Sequence, residues 1–180
     1  MGLTNNDERA NWLLGVTIVV ALCTALATLP AARLSERLGR KNVIYGACAL
    51  GAIGMTLCAL APLIPLMVFG AVLVGVGGGS FLAVDWALMT DIIPKASSGR
   101  YMGISNVATA TNGVVAGFIG GVIVDQLATS GNPAMGPRLA FLVAPIWFAV
   151  GALLLHPVRQ GRREDDVPAM VVALNAPPAA

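Results

Sequence analysis

The sequence predicts an all-α integral membrane protein with five transmembrane helices, and three observations carry that expectation. Of the 180 residues, 57% are hydrophobic and the mean hydropathy is +0.79, more apolar surface than one soluble core of this size can enclose. Charged residues make up only 11% of the chain, and they gather in short clusters between uncharged runs long enough to cross a bilayer. Those runs are continuously apolar, whereas lipid-facing barrel strands alternate over about ten residues, so helices are expected.

Taken in order, the first run has no charge between Arg9 and Arg33, and a span is expected from Asn11 to Pro30. The next uncharged stretch, Asn42 to Val84, is long enough for two crossings and is broken by Ala61-Pro62-Leu63-Ile64-Pro65. Two prolines so close together favour a turn. The second span is therefore expected over residues 43–60 and the third over 66–93, the latter carrying Asp85 and Asp91. A fourth is expected over 101–127 and a fifth over 139–156, giving a membrane domain of 11–158 between an extracytoplasmic segment, 1–10, and a cytoplasmic tail, 159–180. The tail ends in a Pro- and Ala-rich stretch expected to be disordered. The N-terminus lacks the basic n-region of a secretory signal, so the first span is not read as a cleaved leader.

Orientation follows from the basic residues. With Arg33, Arg37, Arg40, Lys41, Lys95, Arg100, Arg159, Arg162 and Arg163 on one side, only Arg9 and Arg138 fall on the other. The positive-inside rule then places the N-terminus outside and the C-terminus in the cytoplasm, in a plasma or inner membrane.

The stretch Ala32-Arg-Leu-Ser-Glu-Arg-Leu-Gly-Arg-Lys41 holds five charged residues. As a topological anchor its arginines are explained, but not its acid and glycine. Gly39 permits a tight turn, and Glu36 can pair with a base or face a helix N-terminus. The stretch resembles the loop signature of major facilitator superfamily transporters, Gly-x-Leu-x-Asp-Arg-x-Gly-Arg-Lys. Leu34, Arg37, Gly39, Arg40 and Lys41 match, while Ala32 and Glu36 replace the first glycine and the aspartate. Both departures fit the weaker copy of the signature between the eighth and ninth helices, and the span count fits as well. The resemblance implies part of a twelve-helix bundle, its eighth to twelfth helices; the alternative alignment is to the second through sixth. It also implies a cytoplasmic gate at Glu36, Arg37, Gly39, Arg40 and Lys41.

A carboxylate within a span is costly unless it faces a polar cavity, is paired, or takes up a proton. Asp85 is thus the first candidate for a substrate or proton pathway, with Trp86 beside it and Asn106 and Asn112 in the next span. The competing readings of Asp85 are hydration near the interface, or a structural pair with Arg100 or a base of the first connection. Asp91, a turn before Pro94, is expected to pair with Lys95 or Arg100 in a gating or structural role. The string from Val84 through Pro94 to Asn106 is similar to the tenth-to-eleventh-helix pattern of some superfamily members, including relatives of sugar-cation symporters. Gly75 with Gly79, and Gly113, Gly117 and Gly121, recur every four residues and offer smooth faces for close helix packing, static or sliding.

Other chemistries find little footing. Cys23, Cys48 and Cys58 form no Cys-x-x-Cys pair, His156 is the only histidine, and no metal site, cofactor or phosphate-binding loop is expected. No nucleophile, base and orienting group converge, so an enzyme is not expected, nor a nucleic-acid partner. Two functions remain: transport of a small-molecule substrate as part of a secondary transporter, or a membrane-embedded assembly subunit or truncated fragment that does not transport. Since such transporters place the site between two six-helix halves, five spans need missing N-terminal helices, a partner or an oligomer, besides the lipid bilayer.

Overall fold

In hydrocarbon every backbone N–H and C=O must be satisfied within the protein, which leaves continuous helices as the economical form for this chain. The computed structural model describes residues 6–93, 98–128 and 135–158. These form α1 (Asn6–Leu38), α2 (Arg40–Leu60), α3 (Ile64–Ile92), α4 (Ser98–Ala128) and α5 (Met135–Leu155). All five are long and apolar enough to cross a membrane. The N-terminal segment 1–5, Lys95 and the tail 159–180 lie outside the described residues.

The largest departure from expectation is at the first connection. α1 does not stop at Pro30 but runs through it to Leu38. Proline removes one ladder hydrogen bond, yet Ala31 to Leu38 consists largely of good helix formers, and continuing the helix leaves fewer orphan carbonyls than a loop would. The connection is reduced to Gly39, whose φ of 86° is the only positive value among the described residues. A side chain there would be strained, so glycine is what lets two helices abut without a loop. Asn42 Nδ2 donates to the carbonyl of Leu38 at 2.8 Å, capping the end of α1. At the second connection Ala61 to Leu63 make the turn and Pro65 sits in the first turn of α3, where its missing N–H costs nothing.

Packing is glycine-mediated. Gly54 of α2 and Gly70 of α3 cross so closely that a Cβ on either would meet the other's carbonyl oxygen, at 2.7 and 2.8 Å. Gly77 likewise lies against the carbonyl of Ala47. On the opposite side of α3, Gly75 lies against Val20 and Cys23 of α1, and Gly79 against the Thr24 backbone. There Thr24 Oγ1 donates to the Gly75 carbonyl at 3.2 Å. α2 also receives α5, where the Phe148 ring fills the space over Gly51, and α5 receives α4, with Gly136 against the backbone of Val124. The buried core, Ala31, Val43, Ile44, Cys48, Val84 and Leu88, lies where α1, α2 and α3 meet, with Phe148 and Leu155 of α5 against it.

Among the described residues α4 packs along α5 and touches α3 at Ser105 and Met89. Its Gly113, Gly117 and Gly121 therefore have no neighbouring atom where a Cβ would stand, in contrast to Gly75 and Gly79. Gly79→Val is expected to destabilise the chain by about 1–3 kcal/mol, because the α1 backbone must move. Gly113→Ala, in open space, should be neutral or stabilising by up to about 1 kcal/mol through helix propensity. Thermal unfolding of the two variants in lipid nanodiscs checks the contrast.

Candidate functional site

Asp85 is half-buried on α3, and among the described residues it has no hydrogen-bond or ion-pair partner. Neither Arg100 nor a base of the first connection reaches it. Its face of the helix is defined by spacing: at about 100° per residue, Gly78, Asp85 and Met89 lie within about 40° of one another. At Met89 this face meets α4, where Ser105 Oγ donates to Met89 Sδ at 3.2 Å, whereas at Gly78 it lies near Thr24 of α1. Among the described residues α3 and α4 do not otherwise pack together.

Successive spans run in opposite directions, so one turn beyond Ser105 on α4 corresponds in depth to one turn before Met89 on α3. Thr109 thus stands at the depth of Asp85, and Asn112 about one turn deeper. Ser105, Thr109 and Asn112 follow at i, i+4 and i+7 and share one face of α4, on which Thr109 and Asn112 are exposed. Asn106 falls on the adjacent face with Gly113 and Gly117, and is exposed. Trp86, 49% exposed, is turned away from Asp85 toward the side of α3 that packs on α1 further along. Among the described residues no contact joins Asp85 to Ser105, Thr109 or Asn112, and Trp86 and Asn106 lie on other faces of α3 and α4. Ser105 is absent from the residues the sequence singles out; its signal was the i, i+4, i+7 spacing with Thr109 and Asn112.

The second cluster lies at the end of the bundle shared by Gly39, Met89 and the C-terminus of α5. Arg40 Nε and Asp91 Oδ2 are 3.0 Å apart. Asp91 thus pairs with the first connection, where Lys95 or Arg100 had been expected; Lys95 lies outside the described residues, and Arg100 is exposed and has no ion pair among them. Lys41 Nζ donates to the carbonyls of His156 and Val158 at 2.8 and 2.9 Å. Arg40 and Lys41 occupy the first turn of α2, next to the positive end of its dipole, and each reaches to the C-terminal part of another helix, where a cation is favoured. Glu36 and Arg37 are exposed on the last turn of α1, without ion pairs among the described residues. The expected loop is therefore a rigid corner, with Arg40 and Lys41 tying α2 to α3 and to α5.

Among the described residues no group of three His, Cys, Asp or Glu side chains is placed to hold a metal ion. Asp85 thus stands half-buried and without a partner among the described residues, while Thr109 and Asn112 of α4 are exposed.

Comparison with known proteins agrees with this architecture. The sequence profile described as Major Facilitator Superfamily matches residues 4–176. An uncharacterised MFS-type transporter of Mycobacterium tuberculosis is 30% identical over 66% of this chain and 16% of its own length. The vacuolar membrane amino acid uptake transporter fnx2 of Schizosaccharomyces pombe is 29% identical over 83% of this chain and 24% of its own length. The minor myo-inositol transporter IolF of Bacillus subtilis is 27% identical over 67% of this chain and 27% of its own length. The chain thus spans about a quarter or less of these relatives. No solved structure matches it. Five membrane-length helices together with a family match from residue 4 to residue 176 place the chain in the Major Facilitator Superfamily.

Proposed function

We propose that the chain takes part in moving a small solute across a membrane as part of a secondary transporter, coupled to an ion or proton gradient and working by alternating access. The observation that carries this reading is Asp85, a half-buried carboxylate within a span that has no partner among the described residues. A carboxylate at this depth is stable when it binds a proton or a polar solute. Relatives named for amino acid uptake and myo-inositol transport support a small polar solute. Trp86 and Asn106, on the flanking faces, complete the pathway once further helices are in place.

The corner formed by Glu36, Arg37, Gly39, Arg40 and Lys41 acts as a gate on the cytoplasmic side. The grouping of nine basic residues at this end supports that orientation, with the N-terminus outside, in a plasma or inner membrane. Asp91 holds the gate through Arg40, and Arg100 stands at the same end on α4. The open face of Gly113, Gly117 and Gly121 supports close packing by the remaining helices of the transporter. The same face also supports the second reading, an assembly subunit without transport of its own.

Two measurements test the proposal. In membrane vesicles, Asp85→Asn is expected to reduce gradient-driven solute uptake to background while leaving the amount of inserted protein unchanged; full coupling in this variant removes Asp85 from the mechanism. For the gate, Arg40→Asp and Asp91→Arg should each shift the balance of outward- and inward-open forms, and the double exchange should restore most of it. The partly exposed pair is worth about 0.2–1 kcal/mol, a few-fold change in populations, read by cysteine accessibility at the cytoplasmic end.

A further inference from the structure

The bases at the Gly39 end of the bundle are of two kinds. Arg40 and Lys41 are engaged, the first with Asp91 and the second with the carbonyls of His156 and Val158. Arg33 and Arg37, on the last turns of α1, are exposed and have no ion pair among the described residues. Being at i and i+4, they lie within about 40° of one another around the helix, with Cβ atoms about 5–6 Å apart. Like charges at that spacing repel, and an anionic group set against both relieves the repulsion.

The chain itself brings such a group close. Val158 is the last described residue, and its carbonyl, held by Lys41 Nζ at 2.9 Å, fixes the root of the tail against the first turn of α2. Arg37 lies four residues before Lys41 around the Gly39 corner, so their Cα atoms are at most about 14 Å apart. The run Glu164-Asp165-Asp166 begins six residues after Val158, and six residues span up to about 20 Å. In an extended backbone the first and third residues of that run fall on one side, about 6–7 Å apart, close to the spacing of the two arginines. Arg162 and Arg163, just before the run, have a counterpart in Glu36, exposed on the same turns of α1.

We propose that Glu164, Asp165 and Asp166 dock on Arg33 and Arg37, so that the tail forms a strap from the end of α5 to the end of α1, two helices that do not pack together among the described residues. A single exposed ion pair is weak. The strap draws on two at once and on its tether, which holds the acids at an effective concentration of order mM. Arg100, also exposed and without an ion pair among the described residues, is a lone base on α4, and the clasp on Val158 sets the root of the tail against α2 instead. The strap requires neither a solute nor transport, so it stands or falls apart from the function proposed above.

The test uses the full chain in nanodiscs of neutral phosphatidylcholine, with Cys23, Cys48 and Cys58 replaced by alanine. Spin labels are placed at Leu38→Cys, an exposed position at the end of α1, and at Ala169→Cys in the tail. A single short-distance peak is expected. It should be lost when Glu164→Gln, Asp165→Asn and Asp166→Asn are combined, lost again in Arg33→Gln with Arg37→Gln, and retained in Arg100→Gln. Exchanging the charges, with Arg33→Glu and Arg37→Glu against Glu164→Arg, Asp165→Arg and Asp166→Arg, should bring it back. Raising the salt to about 1 M, where screening acts beyond about 3 Å, should remove the peak without any change at the docking residues. A broad distribution in the labelled parent overturns the proposal. So does a peak indifferent to Arg33→Gln with Arg37→Gln or to high salt, or one that needs Arg100. Loss of the peak when phosphatidylglycerol is added at ordinary salt overturns it too, because the two arginines then belong to lipid phosphates.

Discussion

Backbone polar groups cannot be left bare in hydrocarbon, and most of what is seen here depends on that constraint. It carries α1 through Pro30, and it shortens the first connection to Gly39. The orphan groups at that corner then need partners. Asn42 takes one carbonyl at the end of α1, and Lys41 takes two at the end of α5. Two adjacent cations at the start of α2 would be unfavourable beside its positive dipole end. Reaching across to Asp91 and to the carbonyls of α5 turns that liability into cross-links between helices. The basic cluster thus serves topology and packing through the same side chains.

Without a hydrophobic driving force between helices, association in lipid rests on close van der Waals contact, and glycine is the means at every main interface. The contacts differ in kind, however. Gly54, Gly70, Gly75, Gly77 and Gly79 bring backbone against backbone or Cβ, which locks α1, α2 and α3 together. Gly51 meets the end of an aromatic side chain, a softer joint. The contacts thus grade from backbone against backbone around α3 to a side-chain joint at the α2–α5 boundary.

Much of this was legible in the sequence, because the bilayer imposes length and polarity on each element. The number of spans follows from uncharged runs, and the value of glycine at 75 and 79 from spacing alone. Where expectation and structure part, the reason is tertiary. Proline at 30 and the charge cluster suggested a loop, since propensity at those residues does not register the cost of open backbone near a membrane. Asp91 was matched to bases close in sequence, although its partner Arg40 lies on another helix. Asp85 and Trp86 are neighbours in the chain but diverge by about 100° on a helix, so a dipeptide that looked like one site belongs to two faces. The isolation of Gly113, Gly117 and Gly121 could not be read from a spacing they share with the packed pair.

The fold itself does not choose a solute: relatives named for amino acids and for myo-inositol lie at similar identity, and function resides in the site grafted onto the scaffold. What is particular to this chain is a half-buried carboxylate, Asp85, on a span followed by one that carries hydroxyl and amide groups at Ser105, Thr109 and Asn112. A hydroxyl or amide can donate to a carboxylate but cannot neutralise it. The charge on Asp85 must therefore be balanced by something that arrives from outside these helices, whether proton, ion, solute or a group on another helix.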